Sequence, residues 1–295
     1  MDGSLRIAAP AKVNLHLSVG GVRTDGYHEV RTVLHALDFG DSVTIAPSAG
    51  FSVLCEPPID VAPERNLAYR AARAMEARYG RELAVAVRID KRIPAGAGLG
   101  GASADAAAVI AGLASAWDLG DDAGLEAVAR SLGADVPFLI EGGAALLGER
   151  GDVPVRRLPP LDVAVVLAKP ADPVSTAAAY AAFDAAGGSR AFPPRDADGL
   201  IEALEGADAG GVASALANNL TDAAVGLVPA IADALACLEG APGVLGVALT
   251  GSGSAVFGIC ADDAAAARAR DLARERGFWS VATRTSPHGC RVSGD

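Results

Sequence analysis

The chain of 295 residues has only four cysteines, Cys55, Cys237, Cys260 and Cys290, and no two of them form a C-x-x-C pair. So scattered a set excludes a disulfide framework and points to reduced thiols in a cytoplasmic setting. No run reaches the roughly 18 apolar residues that suggest a membrane span. In the opening stretch, MDGSLRIAAPAKVNLHL, Lys12, Asn14 and His16 stand where a signal peptide needs its apolar segment, so neither export nor insertion is expected. Positive charge is also scarce. A formal net charge of −11 argues against a nucleic-acid partner, because that binding depends on Lys and Arg neutralising phosphates. An anionic small substrate is still allowed, provided that backbone N–H groups and one or two lysines build a local electropositive site. Low-complexity segments, like-charge blocks and internal repeats are absent too. With 51% apolar and 21% charged residues, the composition is that of a compact folded protein.

What is present reads as mixed helix and strand. Val13, Leu15, Leu17 and Val19 alternate with Lys12, Asn14, His16 and Ser18, which predicts a strand with one apolar and one polar face. After the turn-rich GGVRTDGYHE come VRTVLHAL, SVTIAP and FSVLCE, three further strand-like runs. An amphipathic helix starts at Asn66, LAVAVRI follows as a strand, and ADAAAVIAGLASAW is so rich in small apolar residues that it predicts a buried helix. A further helix is expected at about 122 to 132. The pair Pro159 and Pro160, followed at once by the strand-like LDVAVVLA, marks a domain boundary, giving units 1 to 158 and 159 to 295. The second unit offers helices near 175 to 185, 198 to 206, 211 to 219, 227 to 239 and 262 to 276. It also offers the strand pair VLGVALTGSGSAVFGIC and a last strand near 278 to 284, while 186 to 210 reads as irregular surface chain.

The stretch PAGAGLGGASADAAA holds Gly96, Gly98 and Gly101 in a G-x-G-x-x-G spacing. A dinucleotide fold would run its strand straight into the first glycine and place a second strand after the helix. Here Asp90, Lys91 and Arg92 intervene, and the helix is followed by another helix. A Walker loop fails because no Gly-Lys-Ser/Thr follows the glycines. Two readings stay open on these residues alone. One is a turn whose N–H groups, at the start of a buried helix, hold phosphate oxygens. The other is a tight turn that merely begins a close-packed helix.

PAKVNLHL with R-x-DGYHE, then IDKRIPAGAGLGG, LGADVPF and LTGSGSAVF, in this order, resemble the GHMP superfamily of small-molecule kinases. Within it they resemble most the 4-diphosphocytidyl-2-C-methyl-D-erythritol kinases, from about residue 5 to 260 and least between 186 and 245. The sequence departs from that pattern after GLGG, where the family has a glycine and paired serines and this chain has Ala102, Ser103, Ala104 and Asp105. The resemblance implies a two-domain α+β fold, with a ribosomal-protein-like N-terminal domain, a ferredoxin-like C-terminal domain and the active site between them. It implies ATP as co-substrate, with Mg²⁺ carried by its phosphates, and phosphoryl transfer to the 2-hydroxyl of the cytidine substrate. A small-molecule partner, no nucleic acid, no membrane, and a monomer or weak homodimer complete the expectation.

The same resemblance assigns residues. Asp135, where a helix begins, reads as an N-cap by residue type, and the family motif makes it the base that accepts the hydroxyl proton. Lys12 reads as a solvated lysine on a polar strand face, and the resemblance places it beside the transferring phosphate. Tyr27 and His28 would meet the cytosine, with Tyr180 closing the stack. Asn14 and Thr176 would hold the methylerythritol part. The nucleotide side would take Asn66 and Lys91, otherwise a helix-start Asn and a surface Lys. The backbone of Pro94, Ala95, Gly96, Ala97, Gly98, Leu99, Gly100, Gly101, Ala102, Ser103 and Ala104 would take the ATP phosphates. His16, His35 and His288 show no metal-ligand spacing, so no protein-built zinc site is expected. Rival readings are a mevalonate or homoserine kinase, which has no base to stack on DGYHE; a nicotinamide oxidoreductase, which lacks its second strand; and a non-catalytic binding protein, which would have no need of both Lys12 and Asp135.

Overall fold

The computed structural model describes residues 3 to 120 and 123 to 294. Strands β1 (Leu5–Val22) and β2 (His28–Pro47) form a long antiparallel hairpin. VRTVLHAL and SVTIAP are therefore one strand, not two. The sheet bends there without turning, because the register shifts between Pro10 and Lys12 and Gly40 lies against the Ala9 carbonyl, where a Cβ would stand only 2.1 Å away. Strands β3 (Ser52–Glu56) and β4 (Val85–Asp90) extend one half of β2, and β5 (Ala144–Gly148) with β6 (Val153–Leu158) extend the other. Helices α1 (Leu67–Tyr79), α2 (Gly101–Ala116), α3 (Ala123–Leu132) and α4 (Asp135–Glu141) pack with this sheet in one core. Residue 122, the expected start of α3, lies outside the described residues. The alanines of α2 are buried as expected. Their size lets the helix approach the sheet so closely that a Cβ on Gly112 would meet Ile45 at 2.7 Å and Ile7 at 2.8 Å.

The second half runs β7 (Ala164–Lys169), α5 (Thr176–Ala185), α6 (Asp198–Glu205), α7 (Ala209–Ser214), β8 (Ala217–Asn218), α8 (Thr221–Leu227), α9 (Ala230–Glu239), β9 (Val244–Leu249), β10 (Val256–Cys260), α10 (Asp263–Glu275), β11 (Trp279–Ser286) and β12 (Arg291–Gly294). Its antiparallel strands stand in the order β11-β7-β10-β9, with α9 and α10 as the connecting helices. This is the ferredoxin-like arrangement. At Thr285 and Ser286, β11 also pairs with β2, and β12, which the periodicity did not reveal, returns to pair with β1.

Three expectations are corrected. The helix expected at 211 to 219 is α7, ending at Ser214, followed by β8. It stops because Asn218 and Asn219 spend their side chains on other backbone groups: Asn218 donates to Leu249 O and Gly251 O, and Asn219 to Val19 O. The helix expected at 227 to 239 is α9, separated from α8 by Val228 and Pro229. The segment 186 to 210 is not all surface, since α6 buries Leu200, Ile201 and Leu204. Among the described residues, no helix is long and apolar enough to cross a membrane.

Candidate active site

A cleft of about 820 Å³ lies where the two halves meet, and the glycine-rich segment forms its floor. Gly96, Gly98 and Gly100 have φ of 59°, 74° and 78°, a backbone that other residues adopt only at a cost. The carbonyls of this loop are turned into the protein. Gly96 O accepts from Ser254 N, Ala97 O from Ala255 N, Gly98 O from the Thr250 hydroxyl, Leu99 O from Lys12 N and Gly100 O from Ala104 N. With the carbonyls so engaged, the N–H edge of the loop is left for the cleft, and α2 starts at Gly101 with its first amides unpaired inside the helix. Such a concave row of N–H groups at a helix start suits phosphate oxygens. Pro94, Ala95, Gly96, Ala97, Gly98, Leu99, Gly100, Gly101, Ala102 and Ser103 all line the cleft. Ala104 does not. Its N–H is used by Gly100 and its side chain is fully buried.

The polar residues of β1 do not share one face. The register shifts between Asn14 and His16, and this bulge reverses the alternation. Lys12, Asn14 and Leu17 therefore line the cleft, whereas Ser18 bonds to Arg195 and His16 is buried near the same residue. Lys12 is not a solvated lysine, being 4% exposed. Its ammonium donates to Asn14 Oδ1 at 2.6 Å and lies 3.7 Å from Asp135 Oδ2. Asn14 is itself held. Its Nδ2 donates to Thr32 Oγ1, its Oδ1 also faces the Thr250 hydroxyl, and its backbone N–H donates to Thr250 Oγ1.

Asp135 occupies the first turn of α4, but the N-cap position is Ala134 and no side-chain cap bond is made there. Its carboxylate is turned to Lys12 instead. Thr176, at the start of α5, shares a hydrogen bond with the Ser252 hydroxyl at 2.9 Å, and both line the cleft. Tyr180, one turn further along α5, also lines it. Burial, reinforced by the nearby Asp135 charge, pushes the Tyr180 phenol up to about 12, so it stays a neutral donor. Lys12, Asn14, Asp135, Thr176 and Tyr180, drawn from residue positions 12 to 180, are thus brought together.

Asn66, Leu67, Ile59 and Val61 also line the cleft, as an apolar set with one polar member. Asn66 does cap α1, accepting from Ala68 N, and still borders the cleft. Lys91 is no surface lysine. Its ammonium is enclosed by Asp41 at 2.5 Å and Asp105 at 2.7 Å. Although burial opposes the charge, the two carboxylates raise the Lys91 pKa. Burial also lifts Asp105 to about 7, against the pull of Lys91.

Tyr27 and His28 stand beside the cleft, against Arg150 and Tyr180, which line it. Tyr27 is 58% exposed, with the Arg150 guanidinium 5.0 Å from its ring centroid, and Arg150 lines the cleft. His28 Nε2 lies 2.8 Å from Asp184 Oδ1, and its ring packs on Tyr180 with centroids 5.1 Å apart. Neither Tyr27 nor His28 lines the cavity itself. Thr250, Ser252, Asn218, Asp41, Arg150 and Asp184 were not singled out from the sequence, and Asp105 was named there only as a departure from the family pattern. LTGSGSAVF signalled the first two only as a motif, and Asp41 and Asp184 carry no local signal.

Residues 66–143 match the model of the GHMP kinases N terminal domain, and residues 200–277 that of the GHMP kinases C terminal domain. A 4-diphosphocytidyl-2-C-methyl-D-erythritol kinase of Pelotomaculum thermopropionicum is 40% identical over 259 residues, which cover 86% of this chain and 88% of the relative. The chain belongs to the 4-diphosphocytidyl-2-C-methyl-D-erythritol kinase family. A crystal structure of a 4-(cytidine 5'-diphospho)-2C-methyl-D-erythritol kinase superposes with a TM-score of 0.80 at 33% identity, covering 95% of this chain and 99% of that one. A homoserine kinase of Cytophaga hutchinsonii shares the fold, with a TM-score of 0.75 at 19% identity over 99% of this chain and 98% of its own. The α+β fold expected of this kinase family is therefore the fold observed, and the family is one of ATP-dependent small-molecule kinases.

Proposed function

We propose that this kinase transfers the γ-phosphoryl group of ATP to the 2-hydroxyl of 4-diphosphocytidyl-2-C-methyl-D-erythritol, a step of isoprenoid precursor synthesis. The observation that carries the reading is the approach of Lys12 and Asp135, 3.7 Å apart, beside the loop from Gly96 to Gly101. Asp135 receives the hydroxyl proton and Lys12 neutralises charge on the transferring group, in a direct in-line displacement. ATP lies with its phosphates on the loop and its base toward Asn66, Leu67 and Lys91. The acceptor lies across Asn14, Thr176 and Tyr180, with its cytosine toward Tyr27 and His28. The chain divides functionally into 1 to 158 and 159 to 295, and the reaction occurs in the cleft between them.

Mg²⁺ accompanies the nucleotide, held chiefly by phosphate oxygens and water, and supplies charge neutralisation when bound. The residues fit such a nucleotide-borne ion, because Asp135 and Ser103, both with oxygen-bearing side chains, are among the residues lining the cleft. Among the described residues, no group of three or more His, Cys, Asp or Glu forms a ready-made cage. The test is ADP release by the purified protein with the cytidine substrate, mevalonate and homoserine in parallel. Turnover with the cytidine substrate alone is expected, and preference for either of the others would overturn the assignment.

A further inference from the structure

Three largely buried ionisable side chains, Asp41, Lys91 and Asp105, adjoin the phosphate loop, and the last two also line the cleft. Asp41, on β2, has a fully buried carboxylate that accepts three hydrogen bonds. Its Oδ1 takes Arg92 N at 2.5 Å and Ile93 N at 2.8 Å, and its Oδ2 takes the Lys91 ammonium at 2.5 Å. The same ammonium reaches Asp105 Oδ2 at 2.7 Å, and Asp105 lies on the second turn of α2. Lys91, Arg92 and Ile93 lead into the loop, and α2 leads out of it. The two flanks also touch, since a Cβ on Gly101 would stand 3.0 Å from the Ile93 side chain.

We propose that Asp41 is a positioning residue for the ATP phosphate loop, clamping its leading flank through two backbone amides and its trailing helix through Lys91 and Asp105. Lys91 is then a structural cation and not a charge offered to phosphate, because two carboxylates already surround it. A purely stabilising cluster would need only the ion pairs. The two amide bonds to residues 92 and 93 are what tie this cluster to the loop, whose carbonyls on the far side are held by β1 and the 250 to 255 segment. The inference rests on the reading of that loop as the ATP site.

The test compares Asp41→Asn, Asp41→Ala and wild type. Asn keeps an oxygen for the two amides but turns an NH₂ toward Lys91, so it should retain most of the clamp. Ala loses all three bonds. Binding of a non-hydrolysable ATP analogue, measured by calorimetry, and KM for ATP should weaken about 10-fold or more in the Ala variant and distinctly less in the Asn variant. KM for the cytidine substrate should stay within about 2-fold, since a displaced loop misplaces ATP alone. Should the Ala variant not fold, Asp41→Ser, too short to reach the amides, carries the same expectation. Lower melting temperatures with unchanged analogue binding, or equal loss for both substrates, would overturn the proposal. Analogue binding needs no acceptor, so a wild-type protein inert toward the cytidine substrate would sink the proposed reaction and leave this comparison valid. Failure of wild type to bind the analogue would overturn both.

Discussion

At Gly98 the phosphate loop packs against the backbone of the second half with no room for a side chain. A Cβ added there would stand 2.2 Å from Thr250 O, 3.1 Å from Thr250 C and 3.2 Å from Gly253 N. Real Cβ atoms essentially never approach closer than 3.0 Å, so one of two backbone segments must give way by 0.8 Å or more (3.0 − 2.2). The φ of 74° adds about 1–2 kcal/mol for any residue with a Cβ, and forced overpacking adds typically about 1–3 kcal/mol. Gly98→Ala should therefore destabilise by about 2–5 kcal/mol. Gly26→Ala is the control, because φ is 84° there but nothing lies within 4 Å, leaving only the backbone part. A shift of this size at the phosphates should lower kcat/KM for ATP by about 10²-fold, the usual cost of a 1 Å misplacement. Thermal denaturation and coupled ADP release read the two effects. If Gly98→Ala melted and bound ATP like the Gly26→Ala control, the close approach of the loop to Thr250 would be wrong.

Asp135→Asn should preserve the melting temperature, since no cap bond is lost, and should bind ATP no less tightly once Lys12 has lost its carboxylate partner, yet lower turnover by about 10²-fold or more. Combined with Lys12→Met it should lose less than the product of the single losses, and near wild-type turnover in single-turnover assays would remove Asp135 from the chemistry. Tyr27→Ala should weaken the cytidine substrate by roughly 1–3 kcal/mol with ATP affinity unchanged; equal loss of both in titrations would make Tyr27 a folding residue. His35 is buried, accepts from Leu161 N on Nε2 and faces Ala36 O through Nδ1, and burial lowers its pKa from 6.5 to about 4. Between those values the unfolded chain binds the extra proton, so its contribution is complete above pH 6.5 and is lost as pH falls toward 4, amounting to about 3 kcal/mol. Urea unfolding at pH 7.5 and 5 should show a steeper acid loss in wild type than in His35→Gln, and identical slopes would refute the assignment.

The legible parts of the site were those carried by short contiguous patterns. The glycine spacing before an alanine-rich run gave both the loop and the buried helix α2, because positive φ and small side chains are local requirements. Lys12 and Asn14 were legible as polar residues in a strand pattern, but not as cleft residues, because the bulge that separates them from His16 leaves no trace in the alternation. Asp135 was ambiguous by type, and only its bearing toward Lys12, set by a strand more than 120 positions earlier, separates base from cap. Asp41 and Asp184 were invisible for the same reason: each acts on a partner 50 or 156 positions away. The strand β12 was missed because four residues are too few to show a period.

The charge distribution explains how a chain of net charge −11 can serve a polyanionic co-substrate. It has only three lysines, Lys12, Lys91 and Lys169, and two of them line the cleft. Lys91 with Asp41 and Asp105 carries no net positive charge whether or not Asp105 holds a proton, so that trio does not attract phosphate, which is left to the amides of the loop as dipoles and to the cleft-lining arginines Arg65, Arg92 and Arg150. Lys12 and Asp135 sum to zero before reaction. On the proposed chemistry, Asp135 becomes neutral as it takes the hydroxyl proton, and the pair then carries one positive charge. The charge appears as the phosphoryl group moves, so the attraction grows along the reaction and favours the transition state over bound ATP. A lysine without its carboxylate would hold ATP more tightly from the start and leave less of its charge to act on the barrier.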